Sequence, residues 1–230
     1  MWLALLVSFS KQSAPNVLPL IVLNVISVVL FISPVTTSYK IIRRKAVEKF
    51  MPDAYLETVL NCLLWVFFGM PFVQPDSLLV VTINSVGLVL ELIYLAIFFI
   101  YATDNGRVMA YWLCGEVVFY VIVILVTMLA FHDTKNRSLF VGILCDIFNI
   151  IMYSFPLTVM IDMQINTYPF RCFNSSRSSE PRVEYMPFTL SLANFLNSCV
   201  WTAYALIKPD IYVLVSNSIG AVFGSIQLIL

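Results

Sequence analysis

The apolar positions of this chain come in long unbroken runs, not in the alternation of a strand or the one-sided stripe of a soluble helix. Seven runs stand out, roughly 17–38, 54–73, 78–101, 108–131, 139–162, 186–207 and 211–230. About 20 mainly apolar residues in a helix cross the ~30 Å hydrocarbon core of a bilayer, so each run predicts a transmembrane helix. Between them stand residues that stop helices: Pro71, Pro75 and Asp76, then Asn105-Gly106, then Pro209-Asp210. The first ten residues, MWLALLVSFS, are apolar but lack a basic flank. Residues 1–16 therefore read as an external N-terminal segment in preference to a cleaved leader.

Composition supports a bilayer as the solvent. Of 230 residues 60% are hydrophobic and 11% charged, with a mean hydropathy of +0.92. A soluble domain of this length leaves too much surface exposed to hide so many apolar side chains. The 13 basic and 13 acidic residues cancel, which removes the usual electrostatic signature of a nucleic-acid partner. Five scattered cysteines (Cys62, Cys114, Cys145, Cys172 and Cys199) form neither a disulfide framework nor a metal-binding spacing. The single histidine, His132, lies in a polar loop, so no histidine-based metal or acid–base site is expected.

Lys and Arg concentrate on one side of the seven runs, and cytosolic loops are the basic ones. Lys40, Arg43, Arg44, Lys45, Lys49, Arg107, Arg171, Arg177 and Arg182 make 9 on one side, against Lys11, Lys135, Arg137 and Lys208, 4 on the other. The N-terminus is expected outside and the C-terminus inside. Asn136-Arg137-Ser138 then lies outside as a glycosylation triplet, while Asn174-Ser175-Ser176 stays in the cytosol.

The chain also repeats itself. LFISPVTT around Pro34 matches MYSFPLTV around Pro156, and Val47-Glu48 matches Val183-Glu184. Eighteen residues beyond each of those valines stands a tryptophan, Trp65 and Trp201. Asn84-Ser85-Val86-Gly87 matches Asn217-Ser218-Ile219-Gly220. Runs one to three therefore correspond to runs five to seven, with run four between them. Three crossings reverse the direction of the chain, so a fourth is needed before the second repeat starts on the same side. The expected fold is all-α, with seven transmembrane helices in two parallel three-helix repeats joined by a linker helix. Its parts are 17–101, a linker helix with loops over 102–138, and 139–230 with a polar cytosolic insertion at about 168–182.

Each repeat sets polar and bulky residues at helical spacing. Asn61 and Trp65 are four apart, as are Asn197 and Trp201, so each pair shares a helix face. Leu30 and Met152 stand four before Pro34 and Pro156, and Asn84 and Asn217 complete the set. Amides donate to and accept from hydroxyls, and indole rings cover an apolar C–H face. A sugar offers both surfaces. The bland alternative is that these asparagines bind neighbouring helices and that the tryptophans mark interfaces; duplication in both repeats favours a central site. Pro34, Pro156 and Pro187 remove backbone hydrogen bonds and read as hinges or as static kinks. Glu91, Glu116 and Asp146 are acids inside apolar runs, where a charge costs several kcal/mol unless paired. Asp146 takes the place that Asn24 holds in the first repeat, and a proton-coupled carrier would need such a group.

The segments LFISPVTT, VLNCLLWVFFGMPFVQPDSLLVVTINSVG, GILCDIFNIIMYSFPLTVM, VEYMPFTLSLANFLNSCVWTAYAL and NSIGAVFGSIQLIL closely resemble the plant SWEET (MtN3/saliva) sugar transporters. The resemblance runs from about Val22 to the last residue. It implies a bidirectional uniporter that equilibrates sugar across a plasma membrane by alternating access, without a cofactor, as a homo- or hetero-oligomer. In that pattern Asn84 and Asn217 hydrogen-bond the sugar and Trp65 and Trp201 bracket it. Leu30, Asn61, Met152 and Asn197 set the pocket size, and their bulk resembles the hexose-preferring group. Pro34, Pro156 and Pro187 belong to the hinges, and Tyr204 and Asp210 to a gate. The chain departs from the pattern at Ala54, Phe68 and Ser216, where Pro, Tyr and Pro are usual, and at Leu23 and Asp146.

Other classes fit less well. A seven-helix receptor would lack the repeat and would carry an external cysteine pair. A proton-coupled exporter with Pro-Gln loops would need Gln after Pro34, Pro156 or Pro187, where Val, Leu and Phe stand. No nucleophile–base constellation points to an enzyme. A divergent member that transports weakly and serves as an oligomer partner or scaffold remains a reading that the departures support.

Overall fold

The computed structural model describes residues 27–28, 31–32, 35–45, 47, 53–102, 105–173 and 188–229. Among the described residues the fold is all-α, with seven helices and no strand. They are α1 (Val35–Arg44), α2 (Asp53–Phe68), α3 (Leu78–Tyr101), α4 (Asn105–Ala130), α5 (Thr134–Phe173), α6 (Phe188–Ile207) and α7 (Ile211–Ile229). Residues 27–28 and 31–32, ahead of α1, are also helical.

Among the described residues four segments are long and apolar enough to cross a membrane: Leu78–Tyr101, Val108–Ala130, Thr134–Ser154 and Ile211–Ile229. Tyr55–Phe68 is a shorter apolar helix. Apart from Thr134, Lys135 and Asn136 at the start of the third segment, their exposed side chains are apolar or aromatic. On α4, Val118, Ile122, Leu125 and Leu129 all lie open, an arrangement that only an apolar solvent tolerates in a single chain.

Helix ends follow local chemistry more closely than they follow hydropathy. The apolar run 54–73 is helical only to Phe68, where the chain turns through Gly69 and the Pro71–Pro75 stretch. Asp76 takes a left-handed φ of 63° in that turn, a conformation that Asp tolerates better than most residues. Conversely α5 extends beyond its apolar run at both ends. Its first turn holds Lys135 and Arg137, and it continues through Pro156 and Pro169 to Phe173. A helix needs backbone hydrogen bonds, not apolar side chains, so it continues where the hydropathy falls. Residues 168–173 of the polar insertion are thus helical.

Two compact units divide the chain, Met1–Phe148 and Asn149–Leu230. The boundary lies inside α5, so α4, expected as a linker, packs with the first repeat. In the first unit α2 and α3 pair, α1 rests on α3, and α4 lies against α2 and α3. One end holds a core of Ile41, Val47, Leu56, Val59, Leu95, Phe98 and Met109. At the other end Arg137 donates to the carbonyls of Phe131 (2.8 Å) and Phe72 (3.3 Å), and Ser138 donates to Gln74 Oε1 (2.6 Å). These bonds fasten the start of α5 to the α2–α3 turn. They also occupy the buried Ser138 hydroxyl of the glycosylation triplet, while Asn136 is exposed. In the second unit α6 and α7 form the principal pair.

Candidate functional site

Each unit holds one half of the set of residues that the sequence singles out. In the first, α2 carries Asn61 and Trp65, both buried, because four residues of helix bring the two to one face. α3 packs on α2 and carries Asn84, half-buried. Asn84 spends one amide N–H on the Val80 carbonyl, 2.8 Å away and one turn back. That bond fixes the side chain and leaves its oxygen and second N–H for other partners.

In the second unit α6 carries Asn197 and Trp201, again buried, and α7 carries Asn217. Asn217 repeats the bond of Asn84: Nδ2 donates to the Val213 carbonyl at 2.9 Å. Met152, on α5, is half-buried and precedes Tyr153, whose hydroxyl reaches Asn217 Oδ1 at 3.5 Å. Asn197 and Ser198 stand beside the same hydroxyl.

The tryptophans are held alike. The Trp65 and Phe68 rings meet edge to face, with centroids 5.4 Å apart and planes at 81°. Trp201 and Tyr204 do the same at 5.5 Å and 80°. Edge-to-face contact sets the electropositive ring edge against the electronegative face and locks each indole. Phe68, where the resemblance expects Tyr, is fully buried and keeps this ring pair, lacking only the hydroxyl. Asp210 caps α7, accepting from the N–H groups of Tyr212 (3.1 Å) and Val213 (3.3 Å), and it stands near Tyr204. Ser216, where the resemblance expects Pro, keeps α7 continuous and donates to the Tyr212 carbonyl at 2.9 Å.

Leu30, Pro34 and Pro187 lie outside the described residues, as do Leu23 and Asn24. The backbone of Pro156 lies within α5, and its side chain is outside them. Ala54 begins α2 by its backbone alone. Of the acids, Glu91 is buried on α3 with Oε2 unpartnered, and Glu116 Oε2 on α4 is likewise buried without a partner.

One pair escaped the reading of the sequence. Phe31 and Tyr153 hold equivalent places in LFISPVTT and MYSFPLTV, and each presses its ring on the glycine of the matching Asn-Ser-x-Gly motif. A Cβ on Gly87 would lie 2.7 Å from Phe31 Cε1, and one on Gly220 2.7 Å from Tyr153 Cδ2. The signal was present, an aromatic at one repeated position and a glycine at another, but pattern alone does not say that they meet.

Comparison with known proteins identifies the family. The family described as sugar efflux transporters for intercellular exchange matches residues 19–106 and 178–230. The bidirectional sugar transporter SWEET4 of Arabidopsis thaliana is 51% identical over 208 residues, covering 90% of this chain and 77% of that protein. The chain belongs to the SWEET family of sugar transporters. SWEET5 of the same plant is 50% identical over 211 residues, 91% of this chain and 82% of that one. SWEET7b of Oryza sativa subsp. japonica is 48% identical over 211 residues, 91% of this chain and 74% of that one. A solved eukaryotic SWEET transporter superposes with a TM-score of 0.77 at 31% identity, covering 92% of each chain. These SWEET relatives carry transporter names.

Proposed function

We propose that this chain is a bidirectional facilitative uniporter that moves glucose-like hexoses across the plasma membrane by alternating access. Its N-terminus faces outside and its C-terminus the cytosol. The observation that carries this reading is the duplicated half-site: a helix-anchored asparagine, an asparagine four residues before a tryptophan, and an indole locked edge-on, once in each repeat. Asn84 and Asn217 hydrogen-bond the sugar hydroxyls, and Trp65 and Trp201 cover the C–H faces of its ring. Leu30, Asn61, Met152 and Asn197 fill the space that a second sugar ring would need. Pro34, Pro156 and Pro187 act as hinges, while Tyr204 and Asp210 form a gate. The relatives' names support the substrate class and the direction of transport.

A divergent, transport-weak member that works as an oligomer partner is the second reading. It is favoured by Ser216, which restores to α7 the N–H that a proline would remove.

Uptake of radiolabelled glucose and sucrose by a transport-deficient cell separates the two. Flux of glucose but not sucrose, abolished by Asn84→Ala or Asn217→Ala, supports the hexose uniporter. A correctly inserted chain that moves neither sugar overturns it in favour of the second reading.

A further inference from the structure

The carbonyl oxygens at the repeated aromatic position are each held by a side chain from the third helix of the same repeat. Tyr94 donates its hydroxyl to the Phe31 carbonyl at 2.9 Å. Gln227 donates Nε2 to the Tyr153 carbonyl at 3.2 Å. Tyr94 lies 10 residues beyond Asn84 and Gln227 lies 10 beyond Asn217, so the two donors occupy equivalent places. Both are buried. Each also stands seven residues beyond its ring-bearing glycine, Gly87 or Gly220, two helical turns along the same face. One face of α3, and the matching face of α7, thus grips the aromatic residue twice: a glycine socket takes the ring and a polar side chain takes the backbone oxygen.

The position of these carbonyls gives the bonds a purpose. Phe31 and Tyr153 each precede a proline, Pro34 and Pro156, by three residues. A proline within a helix supplies no N–H to the carbonyl four residues back, and its ring crowds that carbonyl. The carbonyl three back, at Phe31 or Tyr153, is the next one in the weakened turn. In a bilayer core water does not take the place of a lost N–H, and neighbouring helices must supply the donors. Ordinary packing does not require polar donors at two equivalent positions, one a phenol and the other an amide.

We propose that Tyr94 and Gln227 are carbonyl clamps for the two segments that precede Pro34 and Pro156, positioning residues that hold each segment in register with the asparagine on the clamp's own helix. The link is closest in the second repeat, where the clamped residue, Tyr153, also reaches Asn217 through its hydroxyl. As a statement about transport, the proposal rests on the uniporter reading above.

Two sets of variants test it. Tyr94→Phe and Gln227→Met remove the donors while keeping most of the volume, and Tyr94→Gln installs in the first repeat the donor used by the second. The expected result is a loss of maximal flux of roughly fivefold per clamp, about the worth of one buried hydrogen bond, with the half-saturating sugar concentration unchanged. Tyr94→Gln recovers most of that flux. Thermal unfolding of the purified chain is measured in parallel, with each donor variant made beside native proline and beside Pro34→Ala or Pro156→Ala. Alanine restores the N–H to the carbonyl four back and relieves the crowding of that turn. Removing the clamp on the neighbouring carbonyl is therefore expected to lower the unfolding temperature less beside alanine than beside proline.

Equal losses in both backgrounds overturn the proposal, as does wild-type flux in both donor-less variants. The thermal measurement needs no transport. A wild-type chain that moves no sugar therefore removes the uniporter reading, and the alanine comparison still decides the clamp.

Discussion

Gly87 and Gly220 offer the sharpest test of the packing on which the site depends. A Cβ added at Gly87 would lie 2.7 Å from Cε1 and Cε2 of Phe31. At Gly220 it would lie 2.7 Å from Cδ2 of Tyr153 and 2.8 Å from Ser198 Oγ. Carbon pairs rest at about 3.5–4.0 Å, so either methyl group overlaps a flat ring that has no way to fold aside. Overpacking of this kind costs about 1–3 kcal/mol. Gly115 on α4 is the control, because nothing lies within 4 Å of its added Cβ. Alanine there stabilises the helix by about 0.5–1 kcal/mol, so site and control separate by roughly 1.5–4 kcal/mol. At about 2–4 °C per kcal/mol for a chain of this size, the unfolding temperatures differ by roughly 3–16 °C. Thermal unfolding of the three purified variants in detergent reads this directly. If Gly87→Ala and Gly220→Ala unfold at the same temperature as Gly115→Ala, the ring sockets do not exist and the alignment of the repeats loses its structural basis.

Two further outcomes follow from the site. Asp210→Ala removes both cap bonds of α7 and should destabilise the chain by about 1 kcal/mol, whereas Asp210→Asn keeps an acceptor and most of the stability; thermal unfolding separates the two. Replacing Asn61 and Asn197 with Ser and Leu30 and Met152 with Val shortens the four side chains proposed to set pocket size, and sucrose uptake should rise relative to glucose in competition assays; an unchanged ratio would mean that these residues do not set it.

Much of this was legible in the sequence because the bilayer writes itself in long apolar runs and because a duplication preserves spacing. The run 78–101 became α3 residue for residue, since Pro75 and Asp76 stop the chain on one side and apolar character ends on the other. Asn61, Trp65, Asn197 and Trp201 stand out as candidates because helical spacing and repetition both mark them. Boundaries set by hydrogen bonding alone were less legible: α5 outlasts its apolar run because polar residues propagate a helix perfectly well. Tyr94 and Gln227 were invisible for a different reason. Self-comparison finds identical residues, and these two share only a donated hydrogen bond, a property of geometry that a phenol and an amide reach by different routes.

The two repeats have kept their shapes and let their polar groups diverge. Phe68 answers Tyr204, Phe31 answers Tyr153, Glu91 answers Gly224, and Ile83 answers Ser216. The ring pairs and the glycine sockets survive nonetheless, because close-packed interiors register the change of even one methylene. A hydroxyl can be gained or lost wherever a partner is within reach. The consequence falls on the two asparagines. Asn84 is held by the Val80 carbonyl, whereas Asn217 is held by the Val213 carbonyl and also approached by Tyr153. The same amide is therefore held more loosely in the first repeat and more tightly in the second. For the proposed uniporter the two unequal mounts suit a sugar, itself without symmetry, better than two copies of one mount would.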